Sequence, residues 1–439
     1  MKRCVEILRN LVSYRTSNNP EDGKKPTREI LNYINDEILS PLGYKSMFYE
    51  ENDYSTLVSH IGEKDPKFLF LGHCDVVPPG PNWQTDPFEL TIRDENAYGR
   101  GTADMKGAVA VMLSLAKKLA EQKDCTIIYA ITLDEESGGQ YGARLLLPFL
   151  EKENLIPHYV INGDAIGLQV VNKRRNSYVI TFKLPKNKHK IKGKNASKTF
   201  KTEIAGNRTM HAAYFMKDLD VHCMNKASEF LKQNNYKVQK ITGPFVKNNV
   251  LPSEVTVDYI IPDKRSVQEY DYDPTLTRFM YSISNHKNVD IPSEPSDYGI
   301  NLTFNYYKEV EKHFCQLDLR IMSNEDEKIK EYFKNLVEKY SIEGNIDVKG
   351  SIGPVNTPIT SPLIKKSILV AKEMNLSSVP IEMGGATDSR FFSAHNVPTI
   401  EFGPLGGNVH GANEYIEISS LELVRKFYYK LISELVKLK

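Results

Sequence analysis

The sequence predicts an α/β protein: a mostly parallel sheet flanked by helices, with a smaller α+β domain inserted into it. Three observations predict this class. Strand-like and helix-like segments alternate near both ends of the chain, as they do in parallel sheets. Those strand-like segments are apolar runs, as expected of strands that helices cover on both faces. The middle of the chain differs, because there strands and helices follow each other without a regular alternation.

The first part of the larger domain follows the α/β pattern most clearly. Its N-terminus is predicted to be an amphipathic helix, because charges are spread among its apolar positions. The segment 105–122 is predicted to be a helix, because it is rich in good helix formers and largely apolar on one side. The remaining predicted elements are a helix over 26–38, strands over 55–61 and 67–72, a strand over 126–133, a helix over 140–152 and a strand over 158–163.

The pattern changes after about residue 172 and returns near the C-terminus. In the middle we predict a strand over 173–184, a helix within 211–233, a loop insertion over 263–300, a strand over 315–321, a helix over 325–340 and a strand over 345–350. The α/β pattern then resumes with a helix over 361–375, strands over 379–383 and 398–403, and a helix from about 419. The predicted division is therefore residues 1–171 and 354–439 for the larger domain and 172–353 for the inserted smaller domain.

Composition excludes several classes of protein. A chain of 439 residues is too long for one ordinary core and predicts at least two domains. The net charge of +1 provides no overall field for nucleic acid or an anionic membrane. No stretch approaches the roughly 20 apolar residues that span a bilayer. The five scattered cysteines argue against a disulfide framework, and with no signal peptide at the N-terminus we expect a cytoplasmic protein.

One segment is strongly basic. Between Lys183 and Lys201 there are eight lysines and no acidic residue. The favoured interpretation is a solvated hairpin whose lysines discourage edge-to-edge pairing. Contact with nucleic acid is the alternative, but the segment lacks interleaved aromatic residues.

Five side chains with metal-binding groups follow apolar runs or lie beside glycine-rich turns, where an α/β sheet presents its functional groups. They are His73, Asp104, Glu136, Asp164 and His410. Two imidazoles and three carboxylates suit a pair of zinc-like ions. Two neighbouring carboxylates complete the candidate site. Asp75 can hydrogen-bond the His73 ring and fix its tautomer, and Glu135 can act as a base beside Glu136.

Taken singly, each residue has an ordinary structural interpretation. A histidine after a strand is usually structural, and an aspartate before a helix is often an N-cap. The acidic run TLDEESGG is compatible with a solvated loop, although like charges at a buried strand end are costly without a cation. The glycines around Asp104 permit an irregular backbone and favour a functional site there.

In combination these segments resemble one family of metallopeptidases and amidohydrolases. It includes glutamate carboxypeptidase, aminoacylase, acetylornithine deacetylase, succinyl-diaminopimelate desuccinylase and several di- and tripeptidases. The resemblance extends over the larger domain in the family's order, with support from LDLR in the smaller one. The matching motifs are GHCDVVP, W-x-x-x-PF, YGRGTADMKG, TLDEESGG, GGATDSRFF and FGP followed by HGANEY.

The resemblance implies that the larger domain is a di-zinc catalytic domain and the inserted one a lid or dimerisation domain. It also implies two Zn²⁺ per subunit, which Co²⁺ or Mn²⁺ can replace. Asp104 would bridge the ions, His73 and Asp164 would complete one site, and Glu136 and His410 the other. Glu135 would be the general base, Asp75 would support His73, and the Asp104–Met105 peptide would be cis. His211 would stabilise the oxyanion, often across a dimer interface, and Arg320 would bind a substrate carboxylate. Asp388 and Arg390 match residues near the mouth of the site, and the protein would be a homodimer.

The expected function is hydrolysis of an amide bond in a short peptide or an N-acyl amino acid. Members of the family that cleave small peptides tend to have aspartate at the position of Asp164, whereas deacylases tend to have glutamate. A peptidase acting on short peptides is therefore favoured. An N-acyl-amino-acid deacylase of the desuccinylase or deacetylase type is the alternative. A non-catalytic metal-binding protein is a third possibility, against which the retained Glu135 argues.

Overall fold

The computed structural model describes residues 2–19, 22–206 and 209–438. It divides into two compact units. Unit 1 comprises Met1–Lys173, Val355–Ile381 and Thr387–Lys439, and unit 2 comprises Arg174–Pro354 and Glu382–Ala386. None of the helices within these described residues is long and apolar enough to cross a membrane.

Helices and strands are numbered in chain order. The helices among the described residues are α1 (Lys2–Ser13), α2 (Glu29–Tyr33), α3 (Gly107–Ala120), α4 (Ala143–Lys152), α5 (Cys223–Gln233), α6 (Pro274–Ile283), α7 (Asp326–Lys339), α8 (Pro362–Glu373), α9 (Ser389–Ser393) and α10 (Ile418–Val436). The strands are β1 (Lys45–Glu51), β2 (Tyr54–Ile61), β3 (Lys67–His73), β4 (Thr91–Arg93), β5 (Asn96–Tyr98), β6 (Thr126–Thr132), β7 (Tyr159–Asn162), β8 (Val171–Arg174), β9 (Asn176–Leu184), β10 (His189–Lys201), β11 (Lys237–Thr242), β12 (Glu254–Pro262), β13 (Glu269–Tyr272), β14 (Asn301–Glu309), β15 (His313–Ile321), β16 (Asn345–Gly350), β17 (Val355–Asn356), β18 (Ile381–Met383), β19 (Thr399–Glu401), β20 (Gly406–Gly407) and β21 (Tyr415–Glu417).

The main sheet of unit 1 runs in the order β1-β2-β6-β3-β7-β19-β8-β17. Its centre is parallel, because β3 pairs in parallel with both β6 and β7, and β7 with β19. The outer strands β1, β2 and β8 pair in the antiparallel sense. The predicted α/β class is confirmed, and the sheet is mixed, with its parallel strands in the middle. A small second sheet has the order β20-β21-β5-β4.

The apolar run in β3 shows why the central strands read as continuous hydrophobic segments. Phe68 and Phe70 belong to the main core cluster, and Phe70 packs against Tyr428 of α10 with ring centroids 5.4 Å apart. Leu69 and Leu71 alternate with them and are also fully buried. Successive side chains of a strand point to opposite faces, so both faces of the sheet are covered. The N-terminal helix α1, α3 and α10 pack together in this core.

Unit 2 consists of antiparallel sheets and helices. One sheet has the order β11-β12-β10-β13 and the other β14-β15-β9-β16. Side chains from both sheets and from α5, α6 and α7 form one core cluster. The predicted elements 315–321, 325–340 and 345–350 correspond to β15, α7 and β16.

Two predictions for the middle of the chain are wrong. The segment 263–300 is not simply a loop insertion, since it contains β13 and α6. The start signal of α6 was present in the sequence: the Asp273 carboxylate accepts the backbone N–H of Leu276, and Pro274 occupies the first turn.

The lysine-rich segment is not a hairpin. The strands β9 and β10 lie in different sheets, and β10 pairs with β12 and β13. All of its lysines are nevertheless exposed, as expected of a solvated surface.

Candidate metal centre

His73 ends the central strand β3 and its side chain is buried. Its Nδ1 lies 3.1 Å from the backbone oxygen of Asp75 and 3.3 Å from that residue's Oδ1. Its Nε2 lies 3.0 Å from Oδ1 of Asp104. The contacts at Nδ1 orient the ring, so that Nε2 faces the centre.

Asp104 lies in an irregular turn, Thr102–Lys106, that leads into α3. The Asp104–Met105 peptide bond is cis, as the family resemblance implies. The two carboxylate oxygens of Asp104 face different imidazoles: Oδ1 faces His73, and Oδ2 lies 3.0 Å from Nε2 of His410. This carboxylate is therefore placed between the two halves of the site.

Glu135 and Glu136 lie in a short turn, Glu135–Ser137, that follows β6. Oε2 of Glu136 lies 3.1 Å from Nε2 of His410. Asp75 holds this turn, because its carboxylate accepts the backbone N–H groups of Glu135 (3.2 Å) and Glu136 (3.0 Å). One buried aspartate thus orients a histidine and positions two neighbouring acids.

Asp164 follows β7, the strand that pairs with β3 on the side opposite β6. Its backbone N–H donates to Oδ1 of Asn162 at 3.0 Å. The amide of Asn162 in turn donates to Ser389 Oγ at 2.8 Å. Because β6, β3 and β7 are neighbouring strands whose pairings with β3 are parallel, their carboxyl ends meet at one edge and bring these side chains together.

Potential ligand atoms cluster in two groups of three. One group is His73, Asp104 and Asp164, and the other is Asp104, Glu136 and His410. Within each group the atoms lie within 4.8 Å of one another. Asp104 belongs to both groups. Nitrogen and carboxylate oxygen donors in this number fit two zinc-like dications, and three carboxylates offset most of their charge.

The pKa values of His73 and His410 show how strongly the surrounding carboxylates act on the two rings. Burial disfavours a charged His73 ring, but Asp104 and Asp75 raise its pKa well above the ordinary value. Burial also opposes charge on His410, yet Asp104 and Glu136 raise its pKa to about 11. Half of the His410 side chain is exposed, so solvent screens part of this shift. Without cations, protons on the imidazoles compensate the carboxylates.

The pKa values of the carboxylates are shifted in both directions. Burial alone would raise the pKa of Asp104, but its hydrogen bonds from His410 and His73 lower it. Burial raises the pKa of Glu136, with the charge of Asp104 adding to the shift. Burial also raises the pKa of Glu135 well above its ordinary value, and Asp164 and Asp388 raise it further. Such shifts are typical of sites that bind cations or transfer protons.

Asp388 and Arg390 lie in unit 1 around α9 and hold loops. Asp388 accepts a hydrogen bond from Thr132 Oγ1 at 3.1 Å, and burial raises the pKa of Asp388 to about 6. Arg390 donates to the backbone oxygens of Thr387 (2.8 Å) and Gly138 (2.7 Å). Both residues are buried.

His211 and Arg320 belong to unit 2. His211 accepts the N–H of Ala213 through Nδ1, and its Nε2 lies 3.1 Å from the amide nitrogen of Asn249. Arg320 makes a two-pronged ion pair with Asp318, from Nε at 2.7 Å and from Nη2 at 2.9 Å. The fork of Arg320 is therefore already paired within the protein.

Sequence reasoning did not assign four residues that support the ligands. Asn18 donates to Oδ2 of Asp75 at 2.8 Å, and Tyr54 donates to Oδ1 of Asn18 at 3.0 Å. No motif marked Asn18. Arg100 and Glu414, which pair with each other, lie inside the quoted motifs YGRGTADMKG and HGANEY, so their positions were visible but their roles were not.

Comparison with known proteins identifies similar chains. The model of peptidase family M20/M25/M40 matches residues 69–434. Succinyl-diaminopimelate desuccinylase of Helicobacter pylori (strain HPAG1) is 27% identical, over 98% of this chain and 99% of that protein. The protein of the same name from Janthinobacterium sp. (strain Marseille) is 25% identical, over 99% of this chain and 100% of that one.

Solved structures share the fold at low identity. Aminoacylhistidine dipeptidase from Vibrio alginolyticus has a TM-score of 0.74 at 13% identity and covers 98% of this chain and 96% of its own. An M20 family metallo-carboxypeptidase from Sulfolobus solfataricus has a TM-score of 0.64 at 18% identity, with 100% of both chains covered. These likenesses concern the fold.

Proposed function

Since the chain belongs to peptidase family M20/M25/M40, we propose that it is a two-zinc hydrolase that cleaves amide bonds in short peptides. The observation that carries the proposal is the pair of three-residue groups sharing Asp104, with Glu135 beside one of them. In this proposal His73 and Asp164 complete one zinc site, and Glu136 and His410 complete the other. Zinc ions held there would lower the pKa of a water molecule and polarise the scissile carbonyl.

Glu135 is the proposed general base. It takes a proton from the attacking water and passes it to the leaving nitrogen. Two features support this role. Its backbone N–H is fixed by Asp75, so its side chain starts from a defined position. Its pKa is raised by burial and by nearby carboxylates, which brings the group toward the range where a base is most effective near neutral pH.

Residues outside the metal groups complete the proposal. His211 would stabilise the developing oxyanion, and Arg320 would bind a substrate carboxylate. Asp388 and Arg390 would shape the mouth of the site through the loops that they hold. The proposed active form is a homodimer that associates through unit 2.

The preference for peptides depends on Asp164. Aspartate rather than glutamate at this ligand position is typical of family members that act on small peptides. The second candidate function is removal of an acyl group from an N-acyl amino acid. Identity of 25–27% over nearly the whole chain to proteins named succinyl-diaminopimelate desuccinylase favours it.

A single hydrolysis screen separates the two functions. Protein of measured zinc content would be offered dipeptides, tripeptides, N-acetyl amino acids and N-succinyl amino acids, with release of free amine as the readout. We expect cleavage of di- or tripeptides with the highest kcat/KM. Cleavage of acyl amino acids without any peptide cleavage would replace the peptidase proposal by the deacylase one.

A further inference from the structure

We propose that Glu414, paired with Arg100, is a positioning residue that holds Asp104 and His410 in place for metal binding before any ion is present. This inference rests on the two-metal centre proposed above. Glu414 would affect metal affinity by positioning two ligands, although Glu414 is not itself one of the proposed ligands.

Glu414 is buried and its carboxylate is aimed at the turn that contains Asp104. Oε1 accepts the backbone N–H groups of Ala103 at 2.8 Å and of Asp104 at 3.0 Å. Oε2 accepts the N–H of Gly101 at 3.0 Å. Three hydrogen bonds within four residues therefore fix the irregular backbone from which the Asp104 carboxylate projects. Gly101 itself has φ +84°, so this backbone is not one that a helix or strand would hold by its own hydrogen bonds.

Arg100 connects this turn to the loop of His410. Its Nη1 donates to Oε2 of Glu414 at 2.5 Å. Its Nη2 donates to the backbone oxygens of Pro79 and His410, both at 3.3 Å. His410 has φ +63°, a strained conformation for a non-glycine residue that persists only when surrounding contacts hold it. The Arg100–Glu414 ion pair thus connects the turn of Asp104 to the loop of His410. Asp104 and His410 both belong to the second group of candidate ligands.

A neutral side chain of the same shape cannot replace Glu414. The carboxylate accepts four hydrogen bonds through two oxygens. A glutamine has one oxygen, and its NH₂ group would face either two backbone N–H groups or the guanidinium of Arg100, all of them donors. At least one buried donor would lose its partner. Changes in groups that orient metal ligands typically cost about 10–100-fold in metal affinity.

The chain offers a matched control for a purely structural role. Glu382 in unit 2 is also buried, pairs with Arg175 at 3.3 Å, and accepts hydrogen bonds from Ser296 Oγ and the N–H of Asp297, both at 2.8 Å. Neither Glu382 nor its partners belong to a group of candidate metal ligands. Glu382→Gln therefore disturbs a comparable buried ion pair without touching the metal centre.

The test compares metal-free wild type, Glu414→Gln and Glu382→Gln by zinc titration against a competing chelator, with the melting temperature of each metal-free protein measured in parallel. We expect Glu414→Gln to weaken zinc binding about 10–100-fold, and Glu382→Gln to bind zinc like the wild type even where its melting temperature falls. Hydrogen exchange of the peptide containing residues 101–104 should accelerate in metal-free Glu414→Gln alone.

The outcomes are separable. If Glu414→Gln does not fold, Glu414→Asp serves in its place: it keeps the charge for Arg100, is too short to reach all three N–H groups, and should also weaken zinc binding. Unchanged zinc affinity in the folded Glu414 variant, or equal weakening in Glu382→Gln, overturns the inference. A wild-type protein that binds no zinc would instead overturn the metal centre on which the inference rests.

Discussion

At the scale of single residues, Asp75 links the candidate metal ligands to Glu135, the proposed base. The same carboxylate contacts the His73 ring and the backbone N–H groups of Glu135 and Glu136. A displacement of Asp75 would therefore move a ligand from each metal site as well as the proposed base. The proposed hydrolysis would therefore depend on Asp75, although Asp75 is not one of the candidate ligands.

Replacing the proposed base separates catalysis from metal binding. Glu135→Gln should retain both zinc ions, because Glu135 is in neither group of ligands. The value of kcat/KM should fall about 10²–10⁴-fold, the usual contribution of a general base. Zinc content by elemental analysis and steady-state kinetics measure the two quantities. Glu151→Gln, on the exposed surface of α4, is the control and should change neither; turnover at the wild-type rate in Glu135→Gln would rule out the base.

Zinc affinity should rise with pH. In the metal-free protein the pKa of His410 is raised to about 11, so its ring holds a proton at neutral pH, and the pKa of His73 is raised as well. A ring that binds zinc through Nε2 must be neutral, so binding releases protons. Each proton released increases the affinity about tenfold per pH unit below the pKa of the free group.

Calorimetric titration in two buffers of different ionisation enthalpy counts these protons. At pH 7 the wild type should release more protons per pair of zinc ions than His410→Asn does, with a difference of about one. Zinc binding without any proton release would contradict the raised pKa values.

At the scale of elements, the close approach of α3 to the end of β7 places Asp104 near Asp164. Gly163 makes this approach possible: a Cβ there would lie 2.4 Å from Cβ of Ala108 and 2.9 Å from Cε of Met105. The helix start and the strand end are thus packed without room for a methyl group. Asp104 lies just before the helix, and Asp164 just after Gly163.

Gly163→Ala should destabilise the protein by about 1–3 kcal/mol through overpacking, measured by chemical denaturation. Ala108→Gly alone should cost about 1 kcal/mol as a glycine in a helix. The double variant should lose less unfolding free energy than the two single variants lose together, because removing the methyl group of Ala108 makes room for the one added at position 163. Strict additivity would show that the contact does not limit the packing.

Elements with strong patterns could be predicted from the sequence. The apolar runs of β3 and β6 and the helix former-rich α3 were predicted close to their observed bounds. The strands β1, β11, β12 and β14 were not predicted. Their pairing partners are close in the chain, since β1 pairs with β2, β11 with β12 and β14 with β15. The strand β12 alternates polar and apolar residues over 254–259, so its pattern was visible in the sequence. The helix α6 was also missed: its cap residues were present, but the polar composition around it suggested a loop.

At the scale of the whole molecule, all five candidate ligands lie in unit 1, but not in one segment of the chain. His73, Asp104, Glu136 and Asp164 precede unit 2 in the sequence, and His410 follows it. Bound zinc would therefore connect two segments separated by about half of the chain. Unit 2 contributes none of these ligands.

Zinc should stabilise unit 1 and leave unit 2 unaffected. A ligand present at 100 times its Kd stabilises the folded state by about 2.7 kcal/mol. Hydrogen exchange should therefore slow in unit 1 on zinc addition, with no change in the core strands β9 and β15 of unit 2. Asp104→Asn, which removes the shared carboxylate charge, should lose this effect. Equal protection in both units would show that zinc acts elsewhere.

The sequence by itself determined which side chains are candidates for the metal centre. His73, Glu136 and Asp164 follow central strands whose carboxyl ends meet at one edge of the sheet, and the motifs around Asp104 and His410 resemble those of the family. Only the tertiary structure decided which buried partners hold them. Glu414 accepts the N–H of Asp104 across 310 positions of the chain, and Asp75 accepts the N–H of Glu136 across 61 positions. A pattern records where a residue lies along its own strand or helix, whereas the partner of a buried charge depends on which distant backbone the fold brings to it.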